Sequence, residues 1–440
     1  MKIRALLATL LLAQPLIARP WTEAASGRKI EADYVSADAQ SVTLAVKGGK
    51  TFKIELARLS AEDNAFVKQQ LSAATPGATG ARKTKIEDRF EDIQIKSADA
   101  IPASGEAHPA LGPVDAAVRA FMMEKGMGAV SFALSKDGKL LHDRAFGWAD
   151  ADLKTPLQPG LKMRLASMTK PVVMAAIKTL FEAGKLKPDD IAFNVLELGQ
   201  YKEAKGCDER WQKVTVQHLL DHKGGWDRDV SGDFTSDREI PEMFRVKTED
   251  QTPEHVMRYG LTKRFDFEPG GRYAYCNYGY ILLVRIIEKV SGQKFMDYLH
   301  ATVCKEAKTP SFSLSSSDAR DRQPDEIWYC YAPEYPRKTV PLPFRTEARD
   351  GAGILACTAA DYCRFLESYS VIGNARRPGG KYRGAFAGSH PGVCAICSQR
   401  EDGINYAVIC NRREGAKSEW NEELRKAVDD ALAKVVAEVK

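Results

Sequence analysis

The chain has 440 residues, 44% of them hydrophobic and 28% charged, with a formal net charge of +5. That length exceeds one small domain, and the composition is that of a globular protein rather than a disordered or fibrous one. The small charge and scattered Lys and Arg exclude a nucleic-acid surface.

The first eighteen residues open with Lys2 and Arg4, continue through the apolar run Ala5 to Leu12, and offer a small-residue cleavage site after Ala18. This pattern predicts a secretory signal peptide over 1–18 and hence an exported, periplasmic or extracellular protein. The apolar run is too short to span a bilayer comfortably, and no later segment reaches spanning length, so no stable transmembrane segment is expected after signal removal.

Residues 19–70 alternate in strand period: Ile30, Ala32 and Tyr34, then Val42, Leu44 and Val46, then Phe52, Ile54 and Leu56. Gly48-Gly49 supplies a turn, and Ser60-Ala61-Glu62-Asp63 opens a short helix. The expectation is a small β-barrel closed by that helix. Trp21-Thr22, Gly27 to Ala32, Val42-Thr43-Leu44 and Leu59 to Asp63 resemble an SH3-like homology domain known from an endocytic adaptor. The resemblance implies either a module binding an unknown peptide or wall ligand, or a spacer that keeps no ligand. Residues 71–111, rich in Ala, Ser, Thr, Gly and Pro, read as a flexible linker. Residues 112–435 read as one large unit of alternating strands and helices.

Within that unit, Ser167-Met168-Thr169-Lys170-Pro171 precedes Val173, Ile177, Leu180 and Phe181 at helical spacing. Pro171 is tolerated only near a helix start, so Ser167 stands at the N-terminus and Lys170 on the same face one turn on. A serine nucleophile needs a base, and a partly buried lysine beside the positive helix end can be neutral enough to serve. The Ser167 amide is then free to hold an oxyanion. Alone, S-x-x-K arises about once in a few hundred residues by chance. Further on, Pro269-Gly270-Gly271 turns into Tyr275-Cys276-Asn277 at the start of an apolar helix ending near Gly292. A tyrosine there can move protons, and an asparagine can orient a lysine or a substrate amide. Gly388-Ser389-His390-Pro391-Gly392-Val393 then leads into two strands joined by a tight turn at Asp402-Gly403.

In that order the three elements resemble the serine β-lactamase and penicillin-binding protein superfamily, in the branch of class C β-lactamases, D-alanyl-D-alanine carboxypeptidases and esterases. Val214 to Trp226 and Gly351 to Thr358 fit its supporting segments. The resemblance implies an α/β (α+β) fold with an antiparallel sheet flanked by helices and an all-helical subdomain carrying Tyr275. It casts Ser167 as nucleophile, and Lys170 and Tyr275 as proton carriers. Asn277 orients Lys170 and substrate, His390 replaces the third-motif lysine, Gly392 completes that motif, and the Ser167 and Val393 amides form the oxyanion hole. No metal and no cofactor are implied. The substrate is a small molecule or peptide, cell-wall-derived ones included.

Two departures stand in the third motif. His390 replaces a fixed positive charge, and Pro391 stands where a threonine hydroxyl helps hold a substrate carboxylate. Both move weight from a true β-lactamase or D-alanyl-D-alanine carboxypeptidase toward an esterase, amidase or D-peptidase. A non-catalytic penicillin-recognising receptor or scaffold is the alternative from another class, and the intact Ser167, Lys170, Tyr275 and Asn277 speak against it. Two weaker patterns compete. His218 and His222 are spaced as zinc ligands on a helix, without a clear third ligand. Asp227 to Asp233 resembles the start of a calcium loop, with Arg238 at the twelfth position. The nine cysteines match no disulfide framework, and Cys394 and Cys397, three apart on a strand, face opposite sides.

Overall fold

A computed structural model describes residues 19–37, 40–46, 51–73, 97–316, 321–329, 345–376, 382–413 and 419–439. The expected signal peptide, most of the expected linker and Gly48-Gly49 lie outside them. The chain divides into two units, 1–83 and 84–440.

In the first unit β1 (Arg19–Thr22), β2 (Lys29–Ala37), β3 (Ser41–Ala45) and β4 (Thr51–Glu55) pair antiparallel in chain order. Trp21, Val42, Leu44, Leu59 and Val67 form its core. The barrel expected here is not closed: β1 and β4 are the two edges of the sheet. Helix α1 (Ala61–Ala73) lies against the core instead, and its start is tied to β1. Asp63 accepts the Thr22 amide at 2.7 Å, and its own amide donates to Ser60 Oγ at 3.2 Å.

The second unit is built on a six-stranded antiparallel sheet. Its strands are β5 (Ala103–Glu106), β6 (Ala129–Lys136), β7 (Lys139–Gly147), β11 (Gly384–His390), β12 (Val393–Gln399) and β13 (Ile404–Cys410), in the order β11-β12-β13-β6-β7-β5. The strand-period alternation sends side chains to two cores. Val130, Phe132, Leu134, Ile396, Tyr406 and Val408 meet α2 (Gly112–Lys125) and α6 (Glu419–Ala433). Ala129, Ala133, Ala395 and Ala407 line the other face, where their small size lets α5 (Ala359–Ser368) come close enough for Cys363 Sγ to reach the Ala133 carbonyl. Cys394 and Cys397 fall on opposite faces.

Part of the expected linker belongs to this sheet. Ala103–Glu106 pairs with β7, with Gly105 opposite Arg144. Gly105 has φ +89°, and a Cβ there would stand 2.2 Å from the Asp143 carbonyl. Gly105 is a glycine because two backbones approach there.

A second sheet of three short strands, β8 (Met163–Arg164), β9 (Ser313–Leu314) and β10 (Leu355–Cys357), has β10 at its centre. It leads directly into a 3₁₀ turn, Ala166–Met168, and then α3 (Thr169–Glu182). α3 packs on α4 (Asn277–Ser291), whose Tyr278, Ile281, Leu282 and Ile286 are fully buried. Gly292 ends α4 in the left-handed conformation at φ +70°. Short helices between 192 and 308 surround this pair and form the helical subdomain.

Candidate active site

Ser167 sits on a tight turn whose preceding residue, Ala166, has φ +46°. A left-handed alanine costs about 1 kcal/mol, and the packing around it holds it there: Gly353 lies so close that a Cβ would be 3.2 Å from Ala166. One turn on, Lys170 is fully buried, with its Nζ 3.4 Å from Ser167 Oγ. The same Nζ donates to Asn277 Oδ1 at 2.9 Å and to the Ala352 carbonyl at 2.6 Å. Burial is the chief cause that holds the Lys170 pKa well below its ordinary value, and the Arg349 cation adds to it.

Tyr275 approaches from the α4 side and donates its hydroxyl to Ser167 Oγ at 2.7 Å. Burial pushes its phenol up to about 12, so it stays protonated across the neutral range. Two further side chains pack on the Tyr275 ring. His222 stacks on it at 4.5 Å, and the Arg228 guanidinium lies 4.6 Å from its centroid. His222 accepts the Cys276 amide on Nδ1 at 3.1 Å, and burial lowers its pKa to about 3.

Four of the residues predicted for the site, Ser167, Lys170, Tyr275 and Asn277, therefore meet at one point. Ser167 and Asn277 line a pocket of about 270 Å³, which Arg349, Ser389, His390 and Arg413 also line.

The third element is placed differently from the expectation. β11 and β12 turn at Pro391-Gly392, with Gly392 at φ +81° and His390 facing Val393 across the hairpin. Val393 is fully buried at the start of β12 and does not line the pocket. The strand meets the nucleophile turn four residues earlier. A Cβ on Gly388 would stand 2.0 Å from the Leu165 carbonyl and 3.1 Å from the Met168 amide. Ahead of Gly388 the strand carries Phe386-Ala387, so neither lysine nor histidine precedes the glycine that approaches Ser167.

The register also changes which amide is available. Residues flanking a two-residue hairpin are a hydrogen-bonded pair, so the next pair, Ser389 with Cys394, is a non-bonded one. β11 is the sheet edge, and the Ser389 amide points off that edge. His390 lines the pocket with its Nδ1 3.1 Å from the Pro391 carbonyl. Burial, then Arg164 and Arg349, lowers its pKa to about 3, which leaves it neutral.

The competing patterns resolve into structural tasks. The helix over Val216–Leu220 ends before His222, so His218 and His222 share no helical face. His218 caps that helix through Thr215. Among the described residues no group of three His, Cys, Asp or Glu side chains is arranged to hold a metal. In the acidic loop Asp227 pairs with Arg272 at 2.7 Å. Asp233 accepts from Asn277 Nδ2 at 2.6 Å and from Arg349 at 2.9 Å. The sequence pattern pointed to neither Asp233, Arg349 nor the Ala352 carbonyl.

The Beta-lactamase family model matches residues 114–388, which span the nucleophile turn, the Tyr275 segment and the first part of β11. The chain belongs to the Beta-lactamase family. Among curated relatives it is 27% identical over 240 residues to "Penicillin-binding protein 4*" of Bacillus subtilis (strain 168), covering 52% of this chain and 50% of that protein. The chain thus spans about half the length of that relative. Two solved structures share the family's fold with this chain. D-amino acid amidase from Ochrobactrum anthropi SV3 is 19% identical with a TM-score of 0.56, over 74% of this chain and 100% of that one. EstCE1, described as a hydrolase with promiscuous acyltransferase activity, is 16% identical with a TM-score of 0.54, over 72% and 98%.

Proposed function

We propose that the protein is an exported serine hydrolase that forms an acyl-enzyme at Ser167 and cleaves an ester, amide or D-peptide bond. One observation carries the reading: Ser167 Oγ stands between the hydroxyl of Tyr275 at 2.7 Å and the buried amine of Lys170 at 3.4 Å. A hydroxyl so placed has a base to take its proton and an acid to serve the leaving group.

The steps follow from those contacts. Neutral Lys170 takes the Ser167 proton as Oγ bonds to the substrate carbonyl carbon. The oxygen that gains charge lies against the Ser167 and Ser389 amides. The carbon–leaving-group bond then breaks, Tyr275 protonates the departing atom, and the proton on Lys170 replaces the one Tyr275 gave up. Water repeats the sequence in reverse on the acyl-serine and frees the acid.

The pocket, about 270 Å³, suits a small acyl group. The amidase that shares the fold supports an amide substrate over a β-lactam. So does a β11 strand without a lysine, histidine or threonine ahead of Gly388. Export rests on the Lys2 to Ala18 pattern, and N-terminal sequencing of the mature protein tests it.

A panel of p-nitrophenyl esters, D-amino acid amides, D-alanyl-D-alanine peptides and a chromogenic cephalosporin tests the substrate class. Turnover of an ester, amide or D-peptide that disappears in Ser167→Ala is expected. Turnover that Ser167→Ala leaves intact, or cephalosporin turnover above every ester and amide, contradicts the reading.

A further inference from the structure

We propose that Asp233 is a positioning residue that locks the amide of Asn277 so that Lys170 presents its lone pair to Ser167. The inference rests on the serine-hydrolase reading of the site. It concerns a residue outside the three motifs, 44 positions before Asn277 in the chain.

A neutral lysine amine has two N–H bonds and one lone pair, arranged tetrahedrally. Around Lys170 Nζ three oxygens stand within reach. The Asn277 Oδ1 at 2.9 Å and the Ala352 carbonyl at 2.6 Å are pure acceptors. Together they consume both N–H bonds. The remaining direction, toward Ser167 Oγ at 3.4 Å, is left to the lone pair. Base catalysis by Lys170 therefore requires that Asn277 offer its oxygen and not its nitrogen.

Nothing in the shape of an asparagine enforces that choice, because its amide oxygen and nitrogen are nearly isosteric. Asp233 enforces it by chemistry. Its Oδ2 accepts from Asn277 Nδ2 at 2.6 Å, and an ionised carboxylate cannot donate. Flipping Asn277 would set its oxygen against a carboxylate, losing that hydrogen bond, and would turn its NH₂ toward the Lys170 amine, where it claims the lone pair that Ser167 needs.

Asp233 is itself held in place. Arg349 donates to the same Oδ2 at 2.9 Å and to Ser236 Oγ at 2.7 Å, while Thr235 Oγ1 donates to Asp233 Oδ1 at 2.5 Å. Burial pushes the Asp233 carboxyl upward, but Arg349, Thr235 and Asn277 outweigh it and keep the group ionised. The loop that resembles a calcium site in sequence thus serves Asn277.

Asp233→Asn tests the lock with almost no change in volume, because an asparagine at 233 can either accept from or donate to Asn277. With a p-nitrophenyl ester, kcat is expected to fall about tenfold or more with KM within about twofold of wild type. In an Asn277→Ala background the same substitution is expected to change kcat less than about twofold, since no amide remains to orient. Asp233→Ser, which can also donate, replaces Asp233→Asn if circular dichroism shows that variant unfolded. Wild-type kcat in the folded variant, or an equal loss in both backgrounds, overturns the proposal. Ser167→Ala is run alongside: activity that survives it refutes the serine-hydrolase reading itself, whereas a dead Ser167→Ala with an active Asp233→Asn refutes only the lock.

Discussion

The Tyr275 hydroxyl donates to Ser167 Oγ at 2.7 Å, and the Tyr275 ring packs against His222 and Arg228. Tyr275 is thereby aimed at the one oxygen that Lys170 also reaches. Tyr275→Phe keeps the ring and its stacking but removes the proton. It is expected to lower kcat by about 10² to 10⁴ while leaving KM and thermal stability nearly unchanged, as steady-state kinetics and melting curves would show. A loss confined to KM would assign Tyr275 to binding alone.

The pH dependence of kcat/KM reports Lys170. Burial and Arg349 hold its pKa well below the ordinary 10.5, and the active form is the neutral amine. Activity is expected to rise with pH on an acidic limb and to reach a plateau well before 10.5, with Tyr275 still protonated until about 12. A rate that climbs with a midpoint near 10.5 would mean an unperturbed lysine.

Two histidines, His222 in the core and half-buried His390 in the pocket wall, make the fold acid-sensitive. His222 and His390 have folded pKa values of about 3 against an ordinary 6.5. Between those values the unfolded chain binds the protons that the folded chain refuses. Stability is therefore full above 6.5 and falls as pH drops toward 3, by about 1.4 kcal/mol per pH unit for each histidine. Asp350, pushed up to about 6 by burial, acts in the opposite sense between 3.8 and 6. The cleanest readout is thus a difference: urea titrations of His390→Gln should show a shallower acid slope than wild type. Equal slopes would place His390 in a solvated, titrating environment.

Gly388 is where the sheet edge meets the nucleophile turn. A methyl group there would overlap the Leu165 carbonyl, so the turn carrying Ser167 must move. Gly388→Ala is expected to cut kcat by about a hundredfold, since a displacement of about 1 Å at a reacting group has that effect. Gly184→Ala is the control at a helix end: with φ +65° but nothing within 4 Å of its Cβ, it is expected to lower the melting temperature while sparing kcat. Equal kcat losses in both variants would remove the special role of Gly388.

Much of this was legible in the sequence, for reasons that differ by residue. Ser167 and Lys170 lie three apart at a helix start, so local periodicity and Pro171 place them. Tyr275 and Asn277 were readable because the turn at Pro269-Gly270-Gly271 and the apolar run of α4 fix where the helix begins. The third element misled because Gly388-Ser389-His390-Pro391-Gly392 contains two glycines, and only the close packing of β11 on Leu165 and Met168 shows which one approaches the nucleophile. Asp233 was hidden because its partners, Asn277 and Arg349, are 44 and 116 positions away. Nothing in an acidic loop distinguishes a solvated aspartate from one that orients an amide. The N-terminal sheet is open where a barrel is expected, because strand alternation reveals strands but not whether the first pairs with the last.

The covalent intermediate is the most direct test of the site. The full-length protein incubated briefly with an activated ester and quenched in acid should gain the mass of one acyl group. Peptide mapping should place that mass on Ser167, and Ser167→Ala should gain none. An acyl group found on another residue, or equal labelling of Ser167→Ala, would contradict the assignment of Ser167 as the nucleophile.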